Sequence, residues 1–395
     1  MMFGWGTVPI GQVAGSVERP ESPQPGVTYR QIGVRLWGKG AYERESMDGA
    51  DTQYKFLHQV QTDDIIVNKI WARNGSVSIV TSALKGCYCS GEFPLFRPKD
   101  DELEPSWFYW ITKARWFWNS CDEKSRGTSG KNRIKPHKFL EIGIPLPSLD
   151  EQRRIVAKIE SLNAKIDEAR RLREEIKSDM DALLVSMAHR NDLSDQEKLS
   201  QGWEHVALGE VLTQVSDPVE VVPGQEYPHF GIYSFARGLF KKAPLLGDEI
   251  KASKLYRVRE GQFIYGRLNA YEGAFAVISE DFDRHHVSNE FPAFACATDR
   301  VLPEFLLAYF STPAVWEALK RKVTGIGGGA GNRRIRLKET VLLSEGIWLP
   351  PIEWQHKIKA ASEKLAVTKE DRDSTAVLLE ALLPSILDKA FKGEL

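Results

Sequence analysis

The stretch Trp5–Val13, WGTVPIGQV, returns as Trp203–Val211, WEHVALGEV, 198 residues further along the chain. Working outward from these two copies, the offset persists. Tyr29, Gly33 and Gly40 fall on Tyr227, Gly231 and Gly238, and Gly75 falls on Gly273. Ser90-Gly91-Glu92-Phe93-Pro94 falls on Ser288-Asn289-Glu290-Phe291-Pro292, and Pro105 on Pro303. Later the offset grows, with Arg133-Ile134 opposite Arg334-Ile335 and Gln152 opposite Gln355, as small loop insertions would make it. Chance similarity does not hold register over such a span, so the chain is a tandem duplication of one unit. Each unit is a globular part of about 145 residues followed by a helical part.

The helical parts carry the plainest pattern. Ile155, Ile159, Leu162, Ile166 and Ala169, then Leu172, Ile176, Met180, Leu183 and Met187, form a coiled-coil-like stripe with one stutter. The helix is expected to start after Pro145, Pro147 and Ser148, with Asp150 and Glu151 at the positive end of its dipole. The second copy follows Pro350-Pro351 and keeps Ile358, Ala361, Leu365, Leu379, Leu382 and Ile386; Pro384 is expected to kink or end it near Leu383, leaving it the shorter helix. A helix of roughly 35 residues is about 50 Å long, too long to bury its stripe on one globular neighbour. Antiparallel pairing of the two is the economical arrangement; docking of each on its own globular part is the alternative.

The globular parts read as α+β modules with antiparallel or mixed sheets. Strands are expected at 65–70, 76–81, 263–266 and 275–278, and helices at 107–116 and 303–320. The Trp107, Trp110, Trp116, Trp118 segment reads as core packing. The divisions that follow are 1–149, 150–190, a linker 191–201, 202–348 and 349–395.

Composition narrows the class. With 395 residues, 42% hydrophobic and 27% charged, the chain is globular and larger than a single small module. No apolar run approaches the roughly 18 residues of a membrane span, and the opening residues lack the pattern of a signal peptide, so a cytoplasmic protein without membrane contact is expected. Cys87, Cys89, Cys121 and Cys296 are too few and too irregular for a disulfide framework or a zinc site, and should be reduced. The net charge of −1 excludes a chain that coats nucleic acid all over, yet 320–338 holds seven Lys or Arg and no acid.

Catalytic signatures are missing. Gly130-Lys131-Asn132 lacks the earlier glycine and the Ser or Thr of a phosphate loop, and Gly325–Gly331 follows a helix rather than a strand. Asp281, Asp283, His285 and His286 read as a solvated turn rather than a metal site. Neither a catalytic residue nor a metal ligand recurs at the offset. Basic residues do. One patch lies just before each proline-led helix: Lys131, Arg133 and Lys135 beside Gly127 and Gly130, then Arg333, Arg334, Arg336 and Lys338 after five glycines. Glycine lets backbone approach a phosphate, and Arg forks hold phosphate oxygens or the guanine edge. A second patch is the strand-loop Lys69, Arg73 and Asn74, matched by Arg267, Asn269 and Tyr271, whose groups suit base edges. Double-stranded DNA is the natural ligand; a solvated charged face is the plain alternative for both patches.

These landmarks resemble the specificity subunit of Type I restriction-modification systems. The resemblance rests on the helix opening Ile144-Pro145-Leu146-Pro147-Ser148-Leu149-Asp150-Glu151-Gln152, its counterpart Leu349-Pro350-Pro351-Ile352-Glu353-Trp354-Gln355, the Ser-x-Glu-Phe-Pro element of both halves and the closing Ala390-Phe391-Lys392-Gly393-Glu394-Leu395. It covers essentially the whole chain and departs at Trp354, where the first copy has Glu151. The resemblance implies two target-recognition domains joined by two long helices in an antiparallel coiled coil, each domain reading one half of a bipartite DNA site. It implies no catalysis and no cofactor in this chain. Partners would be two modification subunits using S-adenosylmethionine, and restriction subunits using ATP and Mg. A duplicated coiled-coil adaptor between proteins, without DNA binding, is the competing reading.

Overall fold

The computed structural model of the chain describes residues 5–125, 132–324 and 336–395, with backbone only at 369–373. It forms two compact units, Met1–Arg171 with Ser374–Leu395, and Leu172–Asp373.

In the first unit β1 (Ala14–Val17), β2 (Ile65–Val67), β3 (Val77–Ile79) and β4 (Leu95–Pro98) make an antiparallel sheet in the order β1-β4-β2-β3. Three successive residues of β2 are fully buried, and the strand period sorts them: Ile65 and Val67 face one apolar cluster, Ile66 the other. The first cluster is completed by α1 (Pro105–Ile111) and α2 (Arg115–Ser125), which supply Trp107, Phe108, Phe117 and Cys121. The second lies toward a five-stranded sheet that contains a parallel pairing, Gln31 opposite Tyr88.

The second unit repeats this at a constant offset. There β5 (Leu212–Val215), β6 (Phe263–Tyr265), β7 (Phe275–Val277) and β8 (Ala293–Cys296) are ordered β5-β8-β6-β7, followed by α4 (Pro303–Tyr309) and α5 (Pro313–Thr324). Phe263 and Tyr265 face one cluster and Ile264 the other, as in β2. The repeated WGTVP and WEHVA segments are edge strands: Thr7–Pro9 pairs with Gly143–Pro145, and Glu204–Ala207 with Gly346–Leu349.

Three expectations are corrected. The single helices expected over 107–116 and 303–320 are each two helices. The break is stabilised by an indole: Trp118 Nε1 donates to the Thr112 carbonyl at 2.7 Å and Trp316 Nε1 to the Phe310 carbonyl at 2.6 Å, satisfying carbonyls left free at the helix end. The long helices α3 (Leu149–His189) and α6 (Ile352–Lys392) are both 41 residues, so the second is not the shorter. Pro384 lies inside α6, which runs on because Leu387, Ala390 and Phe391 are buried in the first unit's core and outweigh one missing hydrogen bond. The turn holding Asp281, Asp283, His285 and His286 is not wholly solvated. His286 is only 9% exposed, in a strand paired to Lys254–Arg257, with its ring 5.2 Å from that of Tyr227.

Each long helix is pinned at its first turn by a buried glutamine. Gln152 Oε1 accepts from the Glu104 amide at 2.9 Å, and Nε2 donates to the carbonyls of Glu102 at 3.0 Å and Pro147 at 2.9 Å. Gln355 does the same: Oε1 accepts from the Leu302 amide at 2.8 Å, and Nε2 donates to Arg300 at 2.8 Å and Pro350 at 2.9 Å. The last turn of α3 ends in the second unit's core, with Ala188 fully buried and the His189 ring stacked 4.4 Å from Tyr309. The last turns of α6 end in the first unit's core, with the Phe391 ring 5.2 Å from Trp107. Between its ends α3 leaves Leu172, Ile176 and Leu183 44, 47 and 50% exposed. All four cysteines are free, Cys87, Cys89 and Cys121 being buried. No helix among the described residues is long and apolar enough to cross a membrane.

Replacing Gln152 by Met keeps the volume and leaves three backbone groups of the first unit without partners. A loss of about 2–4 kcal/mol in urea unfolding is expected, and the same for Gln355→Met. A change below about 0.5 kcal/mol would show that water replaces the carboxamide.

Candidate nucleic-acid interface

The turn between β2 and β3 carries Lys69, Arg73 and Asn74; the turn between β6 and β7 carries Arg267, Asn269 and Tyr271. Each turn closes with a short 3₁₀ segment, Ala72–Asn74 or Ala270–Glu272, ending at a left-handed glycine. Gly75 has φ 75° and Gly273 φ 78°, and a Cβ there would lie 2.7 Å from the Trp118 ring or 2.2 Å from that of Trp316. Only glycine suits both the conformation and the space. Helices α2 and α5 thereby press an indole against the back of each turn.

The two patches read from sequence meet at one junction. The Ile134 amide donates to the Lys69 carbonyl at 2.9 Å, and the Leu337 amide to the Arg267 carbonyl at 2.9 Å. These bonds tie the segment after each glycine-basic loop to the strand-loop. The Lys69 amide in turn donates to the Glu92 carbonyl at 3.1 Å, and that of Arg267 to Glu290 at 2.9 Å. Glu92 and Glu290 are the acids of the Ser-x-Glu-Phe-Pro element, so three distant segments converge in each unit.

The electrostatics differ from an open basic face. Glu92 lies 3.2 Å from Arg133 and 3.7 Å from Lys69. Glu290 holds Arg336 at 3.0 Å, and Glu339 takes Arg267 with its Nε at 2.9 Å. With side chains only 24% and 17% exposed, Arg267 and Glu339 are screened from water more than the Arg133 or Arg336 pairs, and Arg267 braces the junction. Lys135 and Lys338 are exposed at the starts of the helical turns Pro136–Leu140 and Glu339–Leu343.

The remaining residues divide. The Arg73 guanidinium lies 5.9 Å over the ring of Trp71, which is 44% exposed. Asn269 is exposed, whereas Asn74 is half-buried and its carbonyl accepts the Trp37 amide at 2.6 Å. Tyr271 corrects the sequence reading: it packs on the core, its hydroxyl is buried without a hydrogen-bond partner, and burial pushes it up to about 12. It is a packing residue and offers no hydroxyl to a base edge. Lys131, Arg333 and Arg334 lie outside the described residues. Sequence reasoning missed the acids Glu92 and Glu290, although an acid recurring at the offset beside a basic turn was a readable signal. Among the described residues no group of His, Cys, Asp and Glu could hold a metal ion.

The sheet and turn architecture, present twice in a chain with two long helices, is that of a duplicated α+β domain. Residues 4–178 match the family described as Type I restriction modification DNA specificity domain. The second unit repeats the architecture of the matched stretch, and the chain is similar to Type I restriction enzyme specificity subunits. It is 26% identical over 311 residues to the Type I restriction enzyme EcoKI specificity subunit of Escherichia coli, taking in 72% of this chain but only 64% of that subunit's length. It is 23% identical to the StySPI specificity subunit of Salmonella potsdam over 99% of this chain and 89% of that one. Its fold follows a chain solved in a study of complex assembly and conformational transition of the type I R-M system, with a TM-score of 0.66, 21% identity and full coverage of both chains.

Replacing Glu92 or Glu290 by Gln releases the paired cations without touching the backbone junction. The affinity for duplex DNA should rise severalfold at low salt, and the slope of log K against log salt should steepen by about one. An unchanged slope in anisotropy titrations would show that these carboxylates do not temper a phosphate-binding surface.

Proposed function

We propose that this chain is the DNA sequence-specificity subunit of a Type I restriction-modification complex. Each lobe reads one block of a bipartite, asymmetric DNA site, and the chain itself catalyses nothing. The observation that carries this is the duplicated junction of strand-loop, Ser-x-Glu-Phe-Pro element and basic segment, whose basic groups can position on phosphates while nearby side chains meet base edges. The lobes keep this backbone junction but change its side chains. Lys69 faces Glu92 where Arg267 faces Glu339. Two different blocks are therefore expected.

Two modification subunits dock on the long helices, where Leu172, Ile176 and Leu183 offer apolar surface that neither core covers. They supply S-adenosylmethionine, and restriction subunits bring ATP and Mg. The complex works in the cytoplasm. Methylome sequencing of cells that carry the chain with its modification partner tests the reading. A motif of two separated, unlike blocks is expected. A single continuous motif, or none, would refute it, and partner capture that persists after nuclease treatment in a chain without DNA affinity would favour the adaptor instead.

In this reading α3 and α6 set the unread gap between the blocks. Adding four residues to the middle of both, about one helical turn, should lengthen the preferred gap in the methylome motif while leaving both blocks unchanged. An unchanged gap would rule out the helices as the ruler.

A further inference from the structure

Trp37 and Phe235 are equivalent positions, and both are aromatic residues in the left-handed region, at φ 61° and 63°. Bulky side chains avoid that region, yet both copies keep it. Neither ring is hidden in return, since Trp37 is 55% and Phe235 61% exposed. The support is built twice from the same parts. The Trp37 amide donates to the Asn74 carbonyl at 2.6 Å and the Gly38 amide to Gly75 at 3.1 Å; the Phe235 amide donates to Glu272 at 2.6 Å and that of Ala236 to Gly273 at 3.0 Å. Behind each ring stands the indole of α2 or α5, with centroids 5.9 Å apart for Trp37 and Trp118 and 6.1 Å for Phe235 and Trp316. Cations flank the perches: Arg35 over Tyr42 at 4.3 Å in one unit, and Arg237 over Tyr233 at 4.9 Å and Phe235 at 5.9 Å in the other.

A strained backbone fixed to the turn of the candidate interface, holding an aromatic face toward water beside guanidinium groups, has the chemistry of a base-stacking platform. We propose that Trp37 and Phe235 are the aromatic contacts of the two lobes with DNA bases, each stacking on a base that leaves its neighbour in the half-site read by that lobe. This rests on the DNA-recognition reading above and adds to it which side chains meet a base face rather than an edge or a phosphate. Aromatic stacking explains why the position tolerates Trp and Phe alike: every base has a face, so the platform needs a ring rather than a particular donor.

The test uses the full chain assembled with its modification subunits on its cognate duplex, with 2-aminopurine placed in turn through each block as a reporter of unstacking. W37A and F235A should each weaken specific binding roughly tenfold. Each should abolish a fluorescence rise within one block only, the two affecting different blocks, while non-specific affinity and salt slope stay at wild-type values. W37F should retain most of both signals, and W37L, which keeps apolar bulk without a ring face, should not. Wild-type affinity and fluorescence in W37A and F235A would overturn the inference while leaving DNA recognition intact. Loss of cognate and non-specific binding together, with a lowered melting temperature, would also overturn it by making the rings structural. A wild-type complex that binds no duplex would instead remove the functional reading on which the inference rests.

Discussion

A carboxamide with no access to water holds each half together. Gln152 and Gln355 satisfy one amide and two carbonyls apiece, and those groups belong to the segment before α1 or α4 and to the proline turn that starts a long helix. A buried polar group is tolerated only when all its bonds are made, so the geometry is highly constrained. The direction in which α3 leaves the first lobe, and α6 the second, is thereby fixed against the sheet that carries the turn of the candidate interface.

The same economy appears at the turns. A glycine in the left-handed region, an indole behind it and an aromatic perch in front form one stack in each lobe, and the basic segment is laced to that stack through the carbonyl of Lys69 or Arg267. What varies between the lobes is the side chains: Trp37 against Phe235, a Glu92 pair against a Glu339 pair. A constant backbone with exchangeable contacts is how one fold can read different sequences, since base readout depends on side-chain edges while register depends on the frame.

Much of this architecture was legible in the sequence because duplication repeats its landmarks at an offset of 198 that grows by only a few residues toward the long helices. The strands expected at 65–70, 76–81, 263–266 and 275–278 are present in shortened form, and the helical stripe marked both long helices, whereas the strands at 14–17 and 95–98 and their copies were not read from the sequence. The break within 107–116 left no local signal, because an indole reaching back to a carbonyl leaves none, whereas that within 303–320 was marked by Pro313, which opens α5. The continuation of α6 past Pro384 was not legible, since it depends on burial of Leu387, Ala390 and Phe391 in the core built by the opening residues of the chain. At the candidate interface, Lys69, Arg133, Lys135, Arg267, Arg336 and Lys338 fall on or beside one junction, where the sequence alone offered two separate patches. The inward turn of Tyr271 and the clamping acids arise from tertiary convergence, which residue type alone does not encode.

The closing of the first lobe by Leu387, Ala390 and Phe391 has a consequence for biosynthesis. During translation the strands and helices of this lobe precede the second lobe, yet its apolar centre stays open until Leu387, Ala390 and Phe391 have followed that lobe out of the ribosome. Through that interval Trp107 and its neighbours lack their last partner, and the nascent chain exposes a greasy cleft to chaperones. Of the two lobes, the one begun sooner is finished later.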